Sequence, residues 1–248
     1  MNKNNFYNKP FSNIYKTPSN ISEVTSQILY GEKFNIISKN KNWLKIKTSF
    51  DSYIGYIKNE NYNNNFKPTH KIFVLKASIF DKTKKRTNYF LTFASKVSIL
   101  QEKGKFIEFE KNKWIKRSDI KKINHKEKDY LKILKLFLNT KYIWGGKTYK
   151  GIDCSAILQL IFYYNNKFYP RDTKDQIKYS KKNISKNIYE KGKIIFWNGH
   201  VAVCINSKKL IHAYGPKKKV LIMPIKETIG RIEKTAKLFV KQVSSIRY

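Results

Sequence analysis

Apolar and polar positions change rhythm near residue 123. Before it they alternate in short runs. Trp43-Leu44-Lys45-Ile46-Lys47 and Tyr53-Ile54-Gly55-Tyr56-Ile57 repeat at a period of two, the pattern of half-buried β-strands. Gln27-Ile28-Leu29-Tyr30 and Lys33-Phe34-Asn35-Ile36-Ile37 flank a turn-like Gly31-Glu32. Short strands broken by Gly, Asn and Asp predict a small antiparallel barrel over residues 1–66, running into an asparagine-rich linker at 61–68. The rhythm recurs at 72–75, 96–100, 106–109 and 114–115, which predicts a second barrel over residues 67–122. Barrels this small are marginal alone and lean on neighbours.

Beyond residue 123 the period becomes helical. Tyr130, Leu131, Leu134, Phe137 and Leu138 share one helix face, and Ile157, Leu158, Ile161 and Phe162 repeat that spacing in an amphipathic helix opening near Cys154. A short helical piece is expected at 175–179, then strands at 194–197, 201–205, 210–213 and 220–223. Helices followed by an antiparallel run predict an α+β domain over residues 123–248.

Composition narrows the function classes. With 41% hydrophobic and 15% aromatic residues, the 248-residue chain can fill real cores and is no disordered tail. It holds no long apolar run, so no membrane insertion is expected. The opening Met1-Asn2-Lys3-Asn4-Asn5-Phe6 lacks the apolar stretch of a secretory leader, and a cytoplasmic location is the expectation. A net charge of +35 raises nucleic acid as a partner. The lysines are dispersed, however, and no recognition helix, RRM or zinc-finger pattern accompanies them, so no nucleic-acid partner is expected. Two cysteines make neither a disulfide framework nor a four-thiolate metal site. No metal and no cofactor is expected, and any sulfur chemistry must come from a single thiol.

That thiol is Cys154. It follows Gly151-Ile152-Asp153 and opens a helix, where unpaired N–H groups and a partial positive charge favour a thiolate and lower its pKa. The same N–H groups suit the oxyanion of a tetrahedral intermediate. Cys204, between Val203 and Ile205 in a strand, reads as core. Four histidines are available as a base. His70 and His125 fall in polar, lysine-flanked stretches, whereas His200 and His212 fall in two successive strands that an antiparallel turn would bring side by side. One imidazole would pair with the sulfur and the other would fix its tautomer and orientation. Upstream, Tyr142-Ile143-Trp144-Gly145-Gly146 offers a hydroxyl and a pocket wall. Downstream, Pro170-Arg171-Asp172-Thr173 offers a carboxylate suited to a substrate amine, or else an N-capping loop.

Tyr142-Ile-Trp-Gly-Gly, Asp153-Cys154-Ser155, Gly199-His200-Val201-Ala202 and Leu210-Ile211-His212-Ala213 together resemble the NlpC/P60 peptidase signature in order and spacing. The stretches Gln27 to Glu32 and Asp51 to Tyr56 resemble the first bacterial SH3 module of the dipeptidyl-peptidase-VI-like branch. The resemblance implies a circularly permuted papain-like NlpC/P60 catalytic domain behind two SH3-like β-barrels, an α+β architecture. It implies Cys154 as nucleophile, His200 as base and His212 as third member. It further implies hydrolysis of the bond between γ-D-glutamate and a diamino acid in murein peptides with a free N-terminal L-alanine, a recycling substrate. Asp172, with Glu32 and Tyr53 of the first barrel, would grip that amine, and Tyr142, Trp144, Asp153, Ser155 and Thr173 would line the cleft. The sequence departs from the pattern at Ala156, in place of glycine, at Lys193 after Gly192, and at Ser52 before Tyr53. None of these touches the proposed triad. The competing readings are a non-catalytic SH3 binder of wall peptides and an amidase or acyltransferase on the same fold.

Overall fold

The computed structural model describes residues 5–180 and 188–246. They form two compact units, one ending at Lys126 and the other beginning at Glu127. No helix among them is long and apolar enough to cross a membrane.

In the first unit, six strands form one antiparallel sheet in the order Asn5–Phe6, Lys33–Lys39, Trp43–Thr48, Ile54–Lys58, Phe11–Tyr15, Val24–Leu29. Their inward positions, Ile14, Ile28, Phe34, Leu44, Ile46 and Ile57, bury into one cluster. The remaining strands form a three-stranded sheet around His70–Ile72 and a five-stranded sheet around Lys113–Lys116. Here the strands expected at 72–75 and 96–100 are shorter and shifted, to His70–Ile72 and Lys96–Val97. A hairpin of Lys76–Phe80 and Arg86–Thr92 has no counterpart in the sequence reading. Arg86–Thr92 is largely exposed and polar at its start, so it carries little period-two signal.

Tyr30, just past the end of the strand Val24–Leu29, joins the core of the three- and five-stranded sheets, meeting Phe66 and Phe109 edge to face at 6.1 and 5.5 Å. Beside it, Gly31 has φ +73° and lies so close to the strand Lys96–Val97 that a Cβ there would sit 2.1 Å from the Lys96 carbonyl oxygen. Gly31→Ala is therefore expected to cost at least about 1–3 kcal/mol, since it adds a backbone collision to left-handed strain. Urea denaturation measures this, and a loss below about 0.5 kcal/mol would contradict the packing account.

The second unit is built on α2, Cys154–Tyr164, flanked by α1, Tyr130–Leu136. Sequence periodicity predicts an amphipathic α2, yet all eleven of its residues are buried. Gln159 is its one strongly polar interior residue, and its amide donates to the Tyr169 carbonyl at 3.1 Å. A helix apolar all round belongs inside a domain. A five-stranded antiparallel sheet runs in the order Lys219–Pro224, Lys209–Tyr214, His200–Cys204, Lys193–Trp197, Gln242–Ser245. The last of these strands and a helix over Ile225–Ala236 also lie outside the sequence reading. α3, Thr173–Tyr179, starts two residues earlier than the piece expected at 175–179.

Candidate active site

The start of α2 is held by its own N-cap. The Asp153 carboxylate accepts from Ala156 N–H at 2.8 Å and from Ser155 Oγ at 3.0 Å, a capping geometry that fixes where the first helical turn begins. The same carboxylate accepts from Gly145 N–H at 2.9 Å and binds Arg171 through both guanidinium nitrogens, at 3.0 and 2.6 Å. Arg171 also donates to Ser155 Oγ at 2.8 Å. Side chains of this ion pair are 1% and 7% exposed. The polar groups of Asp153 and Ser155 are thus spent inside the protein, on setting the position of Cys154. The family resemblance places both along the substrate cleft and gives Arg171, in the Pro170-Arg171-Asp172-Thr173 loop, no role. One signal was available: only five of the chain's 52 basic residues are arginine. Arginine is favoured where a planar, two-pronged partner is needed.

Cys154 is 3% exposed. Its sulfur lies 4.0 Å from the Gly199 carbonyl, to which the thiol donates. It therefore rests against the backbone of the residue just before His200. The turn before His200 is made by Gly199, at φ +74°. Antiparallel register pairs Val203 with Ile211, which sets His200 and His212 on the same face of the sheet. Their rings meet: His200 Nε2 is 2.9 Å from His212 Nδ1. Trp197 and Tyr214 enclose the pair, with Tyr214 stacked on His212 at 4.7 Å.

Electrostatics differ from the expectation of a stabilised thiolate. Burial pushes the Cys154 thiol up to about 12 and the Asp153 charge adds to this, against the N–H groups of Val201 and Ser155 and the Arg171 charge. Burial alone pushes His200 down to about 4. Both shifts favour the neutral form, a thiol at Cys154 and an imidazole at His200, because burial penalises the charged state of each. Site-resolved alkylation of Cys154 is accordingly expected to accelerate about tenfold per pH unit from 6 to 9. A plateau near neutrality would indicate a preformed ion pair and overturn this. Cys204, in the sheet core and also pushed up to about 12 by burial, is the internal control.

The remaining predicted residues divide. Tyr142 is half-buried, and its hydroxyl is raised above its usual range by burial and then by the neighbouring Cys154 and Asp153. Trp144 is exposed. Thr173 is buried as the first residue of α3. Asp172 occupies the N-cap position of α3, but its side chain makes no capping hydrogen bond. Burial raises its carboxyl above the usual range, with Arg171 opposing. In the first unit, the Glu32 carboxylate accepts from Leu29 N–H at 3.0 Å and the Tyr53 hydroxyl donates to the Thr25 carbonyl at 3.4 Å.

Residues 139–235 match the NlpC/P60 family, and residues 14–61 match the bacterial dipeptidyl-peptidase SH3 domain. A gamma-D-glutamyl-L-lysine dipeptidyl-peptidase of Bacillus subtilis is 22% identical over 83% of this chain and 77% of its own length. A dipeptidyl-peptidase 6 of Lysinibacillus sphaericus is 26% identical over 82% of this chain and 84% of its own. The crystal structure of an NlpC/P60 family protein from Bacillus cereus superposes with a TM-score of 0.80 over 99% of both chains, at 17% identity, so the fold is shared.

Proposed function

We propose that this chain, whose residues 139–235 match the NlpC/P60 family and whose residues 14–61 match the bacterial dipeptidyl-peptidase SH3 domain, is a cysteine peptidase that cuts the γ-D-glutamyl–diamino acid bond of murein peptides with a free N-terminal L-alanine. One observation carries the chemistry: the Cys154 sulfur lies 4.0 Å from the carbonyl of Gly199, the residue before His200, whose ring is hydrogen-bonded to His212. The Cys154 sulfur attacks the γ-glutamyl carbonyl as its proton passes to His200. Attack and proton transfer are coupled, since neither group rests ionised. The backbone N–H of Cys154, at the start of α2, receives the oxyanion. His200 then protonates the departing amine, and water hydrolyses the thioester with His200 again as base. His212 holds the His200 ring.

For the substrate amine, Asp172 is the strongest candidate: a half-buried carboxylate at a cap position that it does not use for capping. The names borne by the Bacillus subtilis and Lysinibacillus sphaericus relatives, a gamma-D-glutamyl-L-lysine dipeptidyl-peptidase and a dipeptidyl-peptidase 6, support the dipeptidyl-peptidase reading, since the similarity runs over more than four-fifths of this chain. A cytoplasmic, recycling role belongs to the same proposal.

Mass spectrometry of products from tri- and tetrapeptides tests it. Cleavage is expected after γ-D-glutamate, and N-acetylation of the alanine is expected to slow it at least about 100-fold, as losing a buried charge pair does. Equal rates on free and blocked peptides would overturn the amine requirement, and cleavage at another bond would favour the amidase reading.

A further inference from the structure

The histidine pair ends on a sulfur. His212 Nδ1 faces His200 Nε2 at 2.9 Å, and His212 Nε2 faces Met223 Sδ at 3.4 Å. Met223 lies in the strand Lys219–Pro224 beside the His212 strand, where Leu210 pairs with Met223 and His212 with Leu221. His212 is wholly buried and Met223 is 6% exposed, so this contact is shielded from water.

A thioether sulfur has lone pairs and no proton, so it can only accept. The ring nitrogen facing it has a partner only as an N–H. With the proton on Nε2, a neutral His212 has its lone pair on Nδ1, which in turn requires a proton on His200 Nε2. The lone pair of His200 then falls on its Nδ1. Burial keeps both imidazoles neutral, with His212 further lowered by His200, so tautomer rather than charge decides where the base is.

The opposite set is internally inconsistent. A proton on His212 Nδ1 would point its Nε2 lone pair at the sulfur lone pairs, leaving two acceptors face to face in a dry site. It would also turn the His200 lone pair toward His212, away from the nitrogen that can meet a thiol.

We propose that Met223, through its sulfur, sets the tautomer of His212 and thereby of His200, leaving His200 Nδ1 unprotonated to receive the Cys154 proton. Met223 is a positioning residue that acts through two imidazoles. When the thiol proton moves to His200 Nδ1, the resulting imidazolium keeps its Nε2–H on His212 Nδ1. The same Nδ1 proton later goes to the leaving amine, so each ring ends as it began. The inference rests on the reading of His200 as the base for Cys154.

Methionine occurs at only two positions, 1 and 223, so replacing it with norleucine removes the Met223 sulfur while keeping the side chain's length and shape. Nitrogen-15 spectra of the histidine rings, recorded without substrate, are expected to show Nε2–H on both His200 and His212. Selenomethionine protein should match the native one. In norleucine protein the His212 signal should move toward the Nδ1–H form, and kcat should fall roughly three- to tenfold with KM unchanged, the size of one lost hydrogen bond. Met223→Leu provides the same test should norleucine protein fail to fold. Unchanged tautomers in the sulfur-free protein, or Nδ1–H on His212 in the native protein, would overturn the proposal. A Cys154→Ala protein that still turns over would instead overturn the catalytic reading and leave the tautomer result standing.

Discussion

Cys154→Ala is expected to reduce turnover of L-Ala-γ-D-Glu-diaminopimelate by at least about 10⁴-fold, the scale seen when a covalent nucleophile is deleted. The oxyanion donors at the start of α2 and the His200–His212 pair remain in this variant, but no atom is left to form the thioester. The fold should survive, because the capping network is made by Asp153, Ser155 and Arg171, not by the sulfur. Product formation and melting temperature measured on the same preparation separate the two effects. Cys204→Ala is the matched control, since it removes a buried sulfur from the sheet core and should keep turnover within a few-fold. Loss of less than tenfold in the Cys154 variant would exclude a covalent route.

Arg171→Leu is expected to lower stability by about 3–5 kcal/mol, because it strands the Asp153 carboxylate without its cation in a dry interior. The cost should be visible as a shift of the urea midpoint. Leaving Asp153 uncompensated also loosens the cap that positions Cys154, and displacement of about an ångström at a reacting atom can cost roughly 10² in rate. Asp153→Ala should behave similarly, since it leaves Arg171 buried. The double variant should be less damaged than the two losses added together, by about 0.5–3 kcal/mol, as expected for groups that interact directly. Strict additivity would mean that the pair is not the unit the structure displays.

How much was legible beforehand depends on the range of the interaction. Trp43–Thr48 and Ile54–Lys58 could be read from alternation because each strand has one face inward and one outward. The hairpin ending at Arg86–Thr92 could not, because its exposed half carries no pattern. α2 was legible as a helix but not as a fully buried one, since periodicity reports a contrast between faces and this helix has almost none. At the site, the placement of Cys154 at a helix start, and of His200 and His212 on adjoining strands, followed from local sequence and strand pairing. Arg171 and Met223 did not. Each acquires its role only from a partner that the chain brings to it through space, Asp153 in one case and His212 in the other.

The pKa of the thiol shows the division most clearly. The helix terminus that favours a thiolate is a local feature and is written in residues 151–155. The burial that outweighs it is produced by everything packed around Cys154 and exists only in the folded domain. Sequence alone therefore singled out the candidate atoms for the chemistry. Tertiary structure decided the protonation state in which they wait, because desolvation is a property of the surroundings and no residue encodes it by itself.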